Sequence, residues 1–218
     1  MPFFHFGPEE TQTLIHLARG MIGKLKVMIL CEGDEDERDL NALTNKLSIS
    51  IPNGTGLTSC GGVDQLQEFA RYVAALANVS RTLRTIVLII DADTSTVEQR
   101  IRSLIQSLGS HNIQVENPEL MSGSIYKASA RSLFGNLNFL VKIAGEMSLP
   151  FERHERDDYA VRLLILNGEI TVDKLTGSSK SSDFLNNCNK DSDKIIQDSS
   201  EGNVRQAYEN IANLLQML

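Results

Sequence analysis

Two apolar runs of strand length constrain the fold of this chain more than any other feature. The runs are VMILC, residues 27–31, and TIVLII, residues 85–90. Neither run alternates apolar and polar residues, and a continuous run of this length is typical of a parallel strand that is covered on both faces. Both runs are far shorter than the roughly 20 apolar residues that span a membrane, so no membrane segment is predicted.

Amphipathic segments follow the apolar runs and predict helices. Apolar residues recur at helical spacing in residues 34–47, 63–77 and 95–109. Asp34 and Glu37 form a capping-box pattern at the start of the first segment. These helices have the length needed to cross from one parallel strand to the next.

Two further strands complete the predicted sheet. They are SISIP, residues 48–52, and NIQVE, residues 112–116, with a glycine-rich loop predicted at residues 53–62. The order β-α-β-α-β-α-β predicts an α/β fold, Rossmann-like, in which a parallel sheet has helices on both faces.

The 218 residues divide into three predicted parts. Residues 1–24 contain an N-terminal helix packed on the domain, residues 25–118 form the α/β domain, and residues 119–218 form a mainly helical extension. Within the extension, residues 126–147 are predicted to be mostly helical. The segment near 176–202 is rich in Ser, Asn and Asp and is predicted to be mobile.

Charge and cysteine usage narrow the functional classes. The net charge of −7 is the opposite of that expected for a protein held to nucleic acid by phosphate neutralisation, so DNA or RNA would bind through a local site. The three cysteines, without CxxC spacing, fit reduced thiols better than a disulfide frame or a zinc site. The first residues lack the pattern of a secretory signal, which favours the cytoplasm.

Acidic residues follow the two most apolar strands. Glu32 ends the first strand, Asp91 and Asp93 end the other, and Asp36 lies one helical turn beyond Glu32. If the two strands are neighbours, the four carboxylates converge at one edge of the sheet and repel one another. A hard divalent cation, Mg²⁺ or Mn²⁺, would neutralise them. Each acidic group taken alone also fits a solvated helix start.

The motifs CEGDED, residues 31–36, and IIDAD, residues 89–93, resemble the two signature motifs of the Toprim domain. Gly61 and Gly62 are similar to the loop after the second strand of OLD-like Toprim proteins. The resemblance covers about residues 25–118 and implies a stand-alone, OLD-like Toprim protein.

The resemblance also implies roles for individual residues. Glu32 would be the general acid or base or a metal ligand, and Asp91, Asp93 and Asp36 would bind the metal. Asp157, in the sequence RDDY, is similar to a later acidic ligand of OLD-like members.

Phosphate contacts are predicted from glycines and basic residues. Backbone N–H groups of Gly61 and Gly62, at a helix N-terminus, and the amine of Lys127 could bind phosphate. Other candidates for the same role are Arg131, Arg153 and Arg156. For each basic residue, an ordinary surface charge is the alternative interpretation.

Four functions fit these observations. The first is a Mg²⁺-dependent protein that acts on phosphodiester or phosphoryl groups, nuclease-like on DNA or RNA. The second is a non-catalytic Toprim module that binds nucleic acid or protein, which the acidic net charge favours. The third is a receiver-like phosphoacceptor domain, and the fourth is a glycosyltransferase that uses DADT to hold a metal-nucleotide. The sequence predicts no oligomeric state.

Overall fold

The computed structural model describes residues 4–6, 23–77, 80–109, 114–116, 118–132 and 135–218. Among them, the strands are β1 (Phe4–Phe6), β2 (Val27–Cys31), β3 (Thr55–Ser59), β4 (Thr85–Asp91), β5 (Glu119–Ser122), β6 (Ile125–Ser132) and β7 (Gly135–Ala144). They form one sheet in the order β1-β3-β2-β4-β7-β6-β5. Four pairs are parallel, namely β1-β3, β3-β2, β2-β4 and β4-β7. The pairs β7-β6 and β6-β5 are antiparallel.

Helices cover both faces of this sheet. The described helices are α1 (Asp34–Lys46), α2 (Val63–Ala77), α3 (Val97–Gly109), α4 (Asp157–Leu166), α5 (Ser181–Asn187), α6 (Ser192–Asp198), α7 (Glu201–Ala207) and α8 (Glu209–Gln216), with a 3₁₀ turn at Val172–Leu175. Helices α1 and α4 to α8 pack on one face, and α2 and α3 pack on the other. The predicted α/β fold class, with a helical C-terminal part, is confirmed.

The two-sided burial explains the continuous apolar run of β2. Ile29 packs into the core on the α1 face, whereas Met28 and Leu30 pack into the core on the α2 face. All three side chains are fully buried, and each such side chain stabilises the fold by roughly 1.5–3 kcal/mol. The strand therefore has no position at which a polar side chain would reach water.

The predicted second strand at residues 48–52 is wrong. The strand that follows α1 is β3, which pairs with β2 and lies in the predicted glycine-rich loop. Pro52 lacks the N–H that a ladder needs, and Ile49 joins the core from an irregular segment. Leu57 is fully buried, and the β-branched residues Thr55 and Thr58 suit a strand although they are polar.

The prediction that residues 126–147 are mostly helical is also wrong. Residues 126–132 and 135–144 instead lie in the antiparallel strands β6 and β7, paired from Ile125 and Lys142 to Ser132 and Gly135. Strand β7 lies beside β4 in the middle of the sheet, so residues Leu140 to Ala144 are buried on both faces. A segment buried on all sides lacks a clear period, and sheet pairing overrides its helix propensity.

Other predictions fall partly or wholly outside the described residues. The N-terminal helix lies outside them, and of the predicted strand at 112–116 only residues 114–116 are described, with one bridge between Val115 and Ala130. The segment near 176–202 contains α5 and α6, and its mobility stays a prediction, as does the division at residue 118. None of the described helices is both long enough and apolar enough to cross a membrane.

Candidate metal and phosphate site

A cavity of about 400 Å³ opens at the carboxyl ends of β2 and β4. The two strands are neighbours, so the residues that follow them meet at this edge of the sheet. The acidic side chains that line the cavity are Glu32, Glu35, Asp36, Asp91, Glu155 and Asp157. Three of the four predicted metal ligands therefore share one cavity.

Glu32 and Asp91 lie in direct contact. The backbone N–H of Asp91 donates to Oε2 of Glu32 at 3.2 Å. Burial raises the pKa of Asp91 well above its ordinary value, and the negative charges of Asp36 and Glu32 raise it further. The pKa of Glu32 is also raised, mainly by burial and further by Asp93. The carboxyl groups at this edge of the sheet are therefore costly to ionise.

Asp36 has a structural contact in addition to its place in the cavity. Its Oδ2 accepts the backbone N–H of Gly33 at 2.8 Å, so Asp36 caps the first turn of α1. The predicted capping pair of Asp34 and Glu37 is wrong, since these two carboxylates instead accept hydrogen bonds from Ser59. Burial raises the pKa of Asp36 although Arg156 lowers it.

Asp93 has different surroundings from the other predicted ligands. It follows β4 in the left-handed region with a φ of 54°, and its backbone pairs with that of His154. Its carboxylate forms ion pairs with Arg100 and, at 2.8 Å, with Arg153. Asp93 does not line the cavity. A metal on Asp93 would have to compete with two guanidinium groups.

Arg156 is a buried cation of the cavity wall. The residue is 6% exposed, so its interpretation as an ordinary surface charge is wrong. Its guanidinium contacts four carboxylates, those of Glu35, Asp36, Asp39 and Asp157. Its backbone N–H donates to Oδ1 of Asp91 at 2.9 Å.

The sequence gives only one signal for this cation. Arg156 begins the RDDY motif, whose resemblance pointed to Asp157, and Asp157 does line the cavity. The acids at the strand ends have a cation nearby because Arg156, 65 positions after Asp91, returns to them.

The predicted phosphate-binding residues do not all lie at the cavity. Gly61 and Gly62 line the cavity, but the N–H of Gly62 donates to the backbone oxygen of Glu32 at 2.9 Å. Lys127 is exposed on β6, paired with Glu119 and Leu140, and does not line the cavity. Lys180, which the sequence did not single out, does line it.

The donor atoms of the cavity fit a hard cation. Among the described residues, no group of three or more His, Cys, Asp or Glu side chains is arranged so that it could hold a metal ion. Mg²⁺ does not need such a group, since it usually keeps several waters and binds to one or two carboxylates and substrate phosphates. The cavity offers carboxylate oxygens and room for water, so Asp91 together with Glu32 or Asp36 would suit a hydrated ion.

A family model described as "Protein of unknown function (DUF3226)" matches residues 26–138. Two solved structures of the C-terminal region of the OLD protein of Xanthomonas campestris pv. campestris are also similar, each at 16% identity over 88% of this chain. The matched regions cover 97% and 95% of the two solved chains, with TM-scores of 0.41 and 0.38. No curated protein matches the chain.

Proposed function

This chain belongs to the DUF3226 family of proteins of unknown function, and from its own residues we propose that it binds Mg²⁺ and acts on phosphodiester or phosphoryl groups, nuclease-like on DNA or RNA. One observation carries the proposal. The carboxylates of Glu32, Asp36 and Asp91 line a single cavity at the ends of two neighbouring parallel strands. Ligands of open α/β sheets bind at this edge.

Asp91 would be the main metal ligand. Burial and two nearby acids make its charge costly, and a divalent ion would relieve that cost. Asp36 would contribute from the first turn of α1, and Mn²⁺ would substitute for Mg²⁺ because both prefer oxygen ligands.

The bound ion would polarise the phosphoryl group and activate water. Glu32 would move the proton, since its raised pKa brings the carboxylate closer to the pH at which a general base works well. Lys180, which also lines the cavity, would contact a substrate phosphate together with Gly61. Lys127 would have no part in this contact.

Thermal unfolding with and without metal tests the proposal. Mn²⁺ or Mg²⁺ at 100 times its Kd should raise the Tm by about 5 °C or more, since binding at that level stabilises by about 2.7 kcal/mol. Asp91→Asn should abolish the rise, and Asp93→Asn should leave most of it. Asp198→Asn is the matched control, because Asp198 is exposed and lies outside the cavity lining.

Cleavage of single- and double-stranded DNA and RNA tests the reaction itself. Metal-dependent cleavage that is lost in Glu32→Gln, while the metal still raises the Tm, would support an enzyme with Glu32 in the proton-transfer role. No rise in Tm for the wild-type protein would contradict the metal site.

The alternative is a non-catalytic module that binds nucleic acid or protein. It is favoured by the absence, among the described residues, of three side chains already arranged for metal binding. Binding of nucleic acid without cleavage would support it. The antiparallel strands β6 and β5 differ from the strand order 2-1-3-4-5 of flavodoxin-like folds, which disfavours the receiver interpretation.

A further inference from the structure

The acidic cavity already contains a cation that belongs to the chain. Arg156 lies at the start of α4, and its guanidinium faces acids of α1 and α4. The separations are 3.2 Å to Glu35, 3.5 Å to Asp36 and 3.3 Å to Asp39. The planar guanidinium can contact several carboxylates at once, which a compact ammonium group cannot do as well.

We propose that Arg156 is a resident cation that limits the site to a single divalent ion, held on the side of Asp91 and Glu32. This proposal rests on the proposed function, because it concerns the same metal site. Arg156 would act as a positioning residue that holds Asp36 and Asp157 in place and opposes the incoming ion.

The contacts that Arg156 already makes favour one ion over two. Two-metal sites hold ions about 3.5–4 Å apart, so a second ion here would need acids next to those that hold the first. Asp157 could serve a second ion, but it already contacts the guanidinium. A second ion would have to separate Arg156 from this buried acid, which would remove a partner from a buried charge.

The contacts of Arg156 also indicate that it acts mainly through its positive charge rather than through well-aligned hydrogen bonds. Its Nε and Nη1 atoms are buried and lack a hydrogen-bond partner with good geometry among the described residues. They instead lie at ion-pair distance from Asp36 and Asp39. The guanidinium thus supplies positive potential to the cavity, where a metal ion would experience it as repulsion.

Titration of the wild-type chain with Mn²⁺ by isothermal calorimetry measures the stoichiometry. We expect one ion per chain. Two ions per chain would overturn the proposal without contradicting the metal site itself.

Removal of the resident cation should strengthen metal binding. Arg156→Met should bind Mn²⁺ at least about tenfold more tightly than the wild-type protein, because a positive charge beside the ion is lost. A merely structural role predicts the opposite, since a loosened cavity binds less tightly. The matched control is Arg162→Met, on the same helix, where the arginine pairs with Glu146 outside the cavity; its affinity should stay unchanged.

A second variant keeps the test decisive if Arg156→Met does not fold. Arg156→Met with Asp39→Asn removes the cation together with a buried acid that does not line the cavity. This double variant should bind Mn²⁺ at least about threefold more tightly than the wild-type protein. Equal or weaker binding, with a wild-type protein that binds one ion, would overturn the proposal alone. Failure of all forms to bind would overturn the proposed function as well.

Discussion

Lys142 places an amine inside the protein, on β7, an interior strand of the sheet. Its side chain is fully buried, and Nζ donates to the backbone oxygen of Gly123 at 3.1 Å and to the hydroxyl of Ser124. The ring of Tyr159 lies 5.7 Å from the amine. Burial lowers the pKa of Lys142 from 10.5 to about 8, so the charged form is less favourable in the folded protein than in the unfolded chain.

The stability contribution of Lys142 should therefore depend on pH. Between pH 8 and 10.5 the unfolded chain binds more protons than the folded protein, so this contribution becomes more favourable as pH rises. Lys142→Met should raise the free energy of unfolding at pH 7 by about 1–3 kcal/mol. The loss of the two hydrogen bonds of the amine will reduce this gain. Urea unfolding from pH 7 to 10 should show this advantage shrinking. A difference that is constant with pH would contradict the prediction.

Residues at the ends of apolar strands could be placed from the sequence, whereas the cation between them could not. Glu32, Asp36 and Asp91 share a cavity because the register of β2 and β4 puts the two strand ends side by side. Arg156 lies in a polar segment that looks like an exposed helix start. Its burial depends on how α4 packs beside α1, which no local pattern records.

Helix α1 is attached to the end of β3 as well as to the core. The carboxylate of Glu37 accepts a hydrogen bond from the backbone N–H of Ser59, and that of Asp34 accepts one from the hydroxyl of Ser59. The two acids hold the helix start close to the loop that carries Gly61. The shape of the cavity wall therefore depends on both α1 and the end of β3.

Loss of that attachment should cost stability. Glu37→Ala should lower the free energy of unfolding by about 1.5–3 kcal/mol, because a charged hydrogen-bond acceptor is removed from a part-buried N–H. Arg38→Ala on the same helix is the control, since its ion pair with Glu35 is exposed, and it should cost less than about 1 kcal/mol. Urea unfolding measures both. A smaller loss for Glu37→Ala than for Arg38→Ala would show that the attachment does not stabilise the fold.

Elements with a simple period or a continuous apolar run were predictable, and those defined by pairing were not. Strands β2 and β4 were identified because both of their faces are covered by helices. Strand β3 contains two threonines and a glycine, so its position depends on the neighbouring β2 rather than on its own hydrophobicity. Strands β6 and β7 contain alanine and basic residues, which also suit a helix.

The strands and helix α1 near the start of the α/β part share one core with the C-terminal helices. Leu43 of α1 and Ile29 of β2 belong to the same buried cluster as Tyr159 of α4 and Tyr208, which joins α7 to α8. The rings of Tyr159 and Tyr208 lie 5.4 Å apart, centroid to centroid. The C-terminal helices thus cover a face of the sheet that would otherwise be exposed to water.

This shared core leads us to expect that the protein unfolds as one cooperative unit, not as an α/β domain of residues 25–118 with a separate extension. Loss of the C-terminal helices would expose Ile29 and Leu43, so neither part should remain folded alone. Urea unfolding can be followed by far-UV circular dichroism, by the near-UV tyrosine signal and by thiol labelling. Labelling would use Cys188→Ser, since Cys188 is exposed whereas Cys31 and Cys60 are buried. The three midpoints should coincide. An earlier loss of the tyrosine signal, with the thiols still protected, would instead establish a separately folded α/β domain.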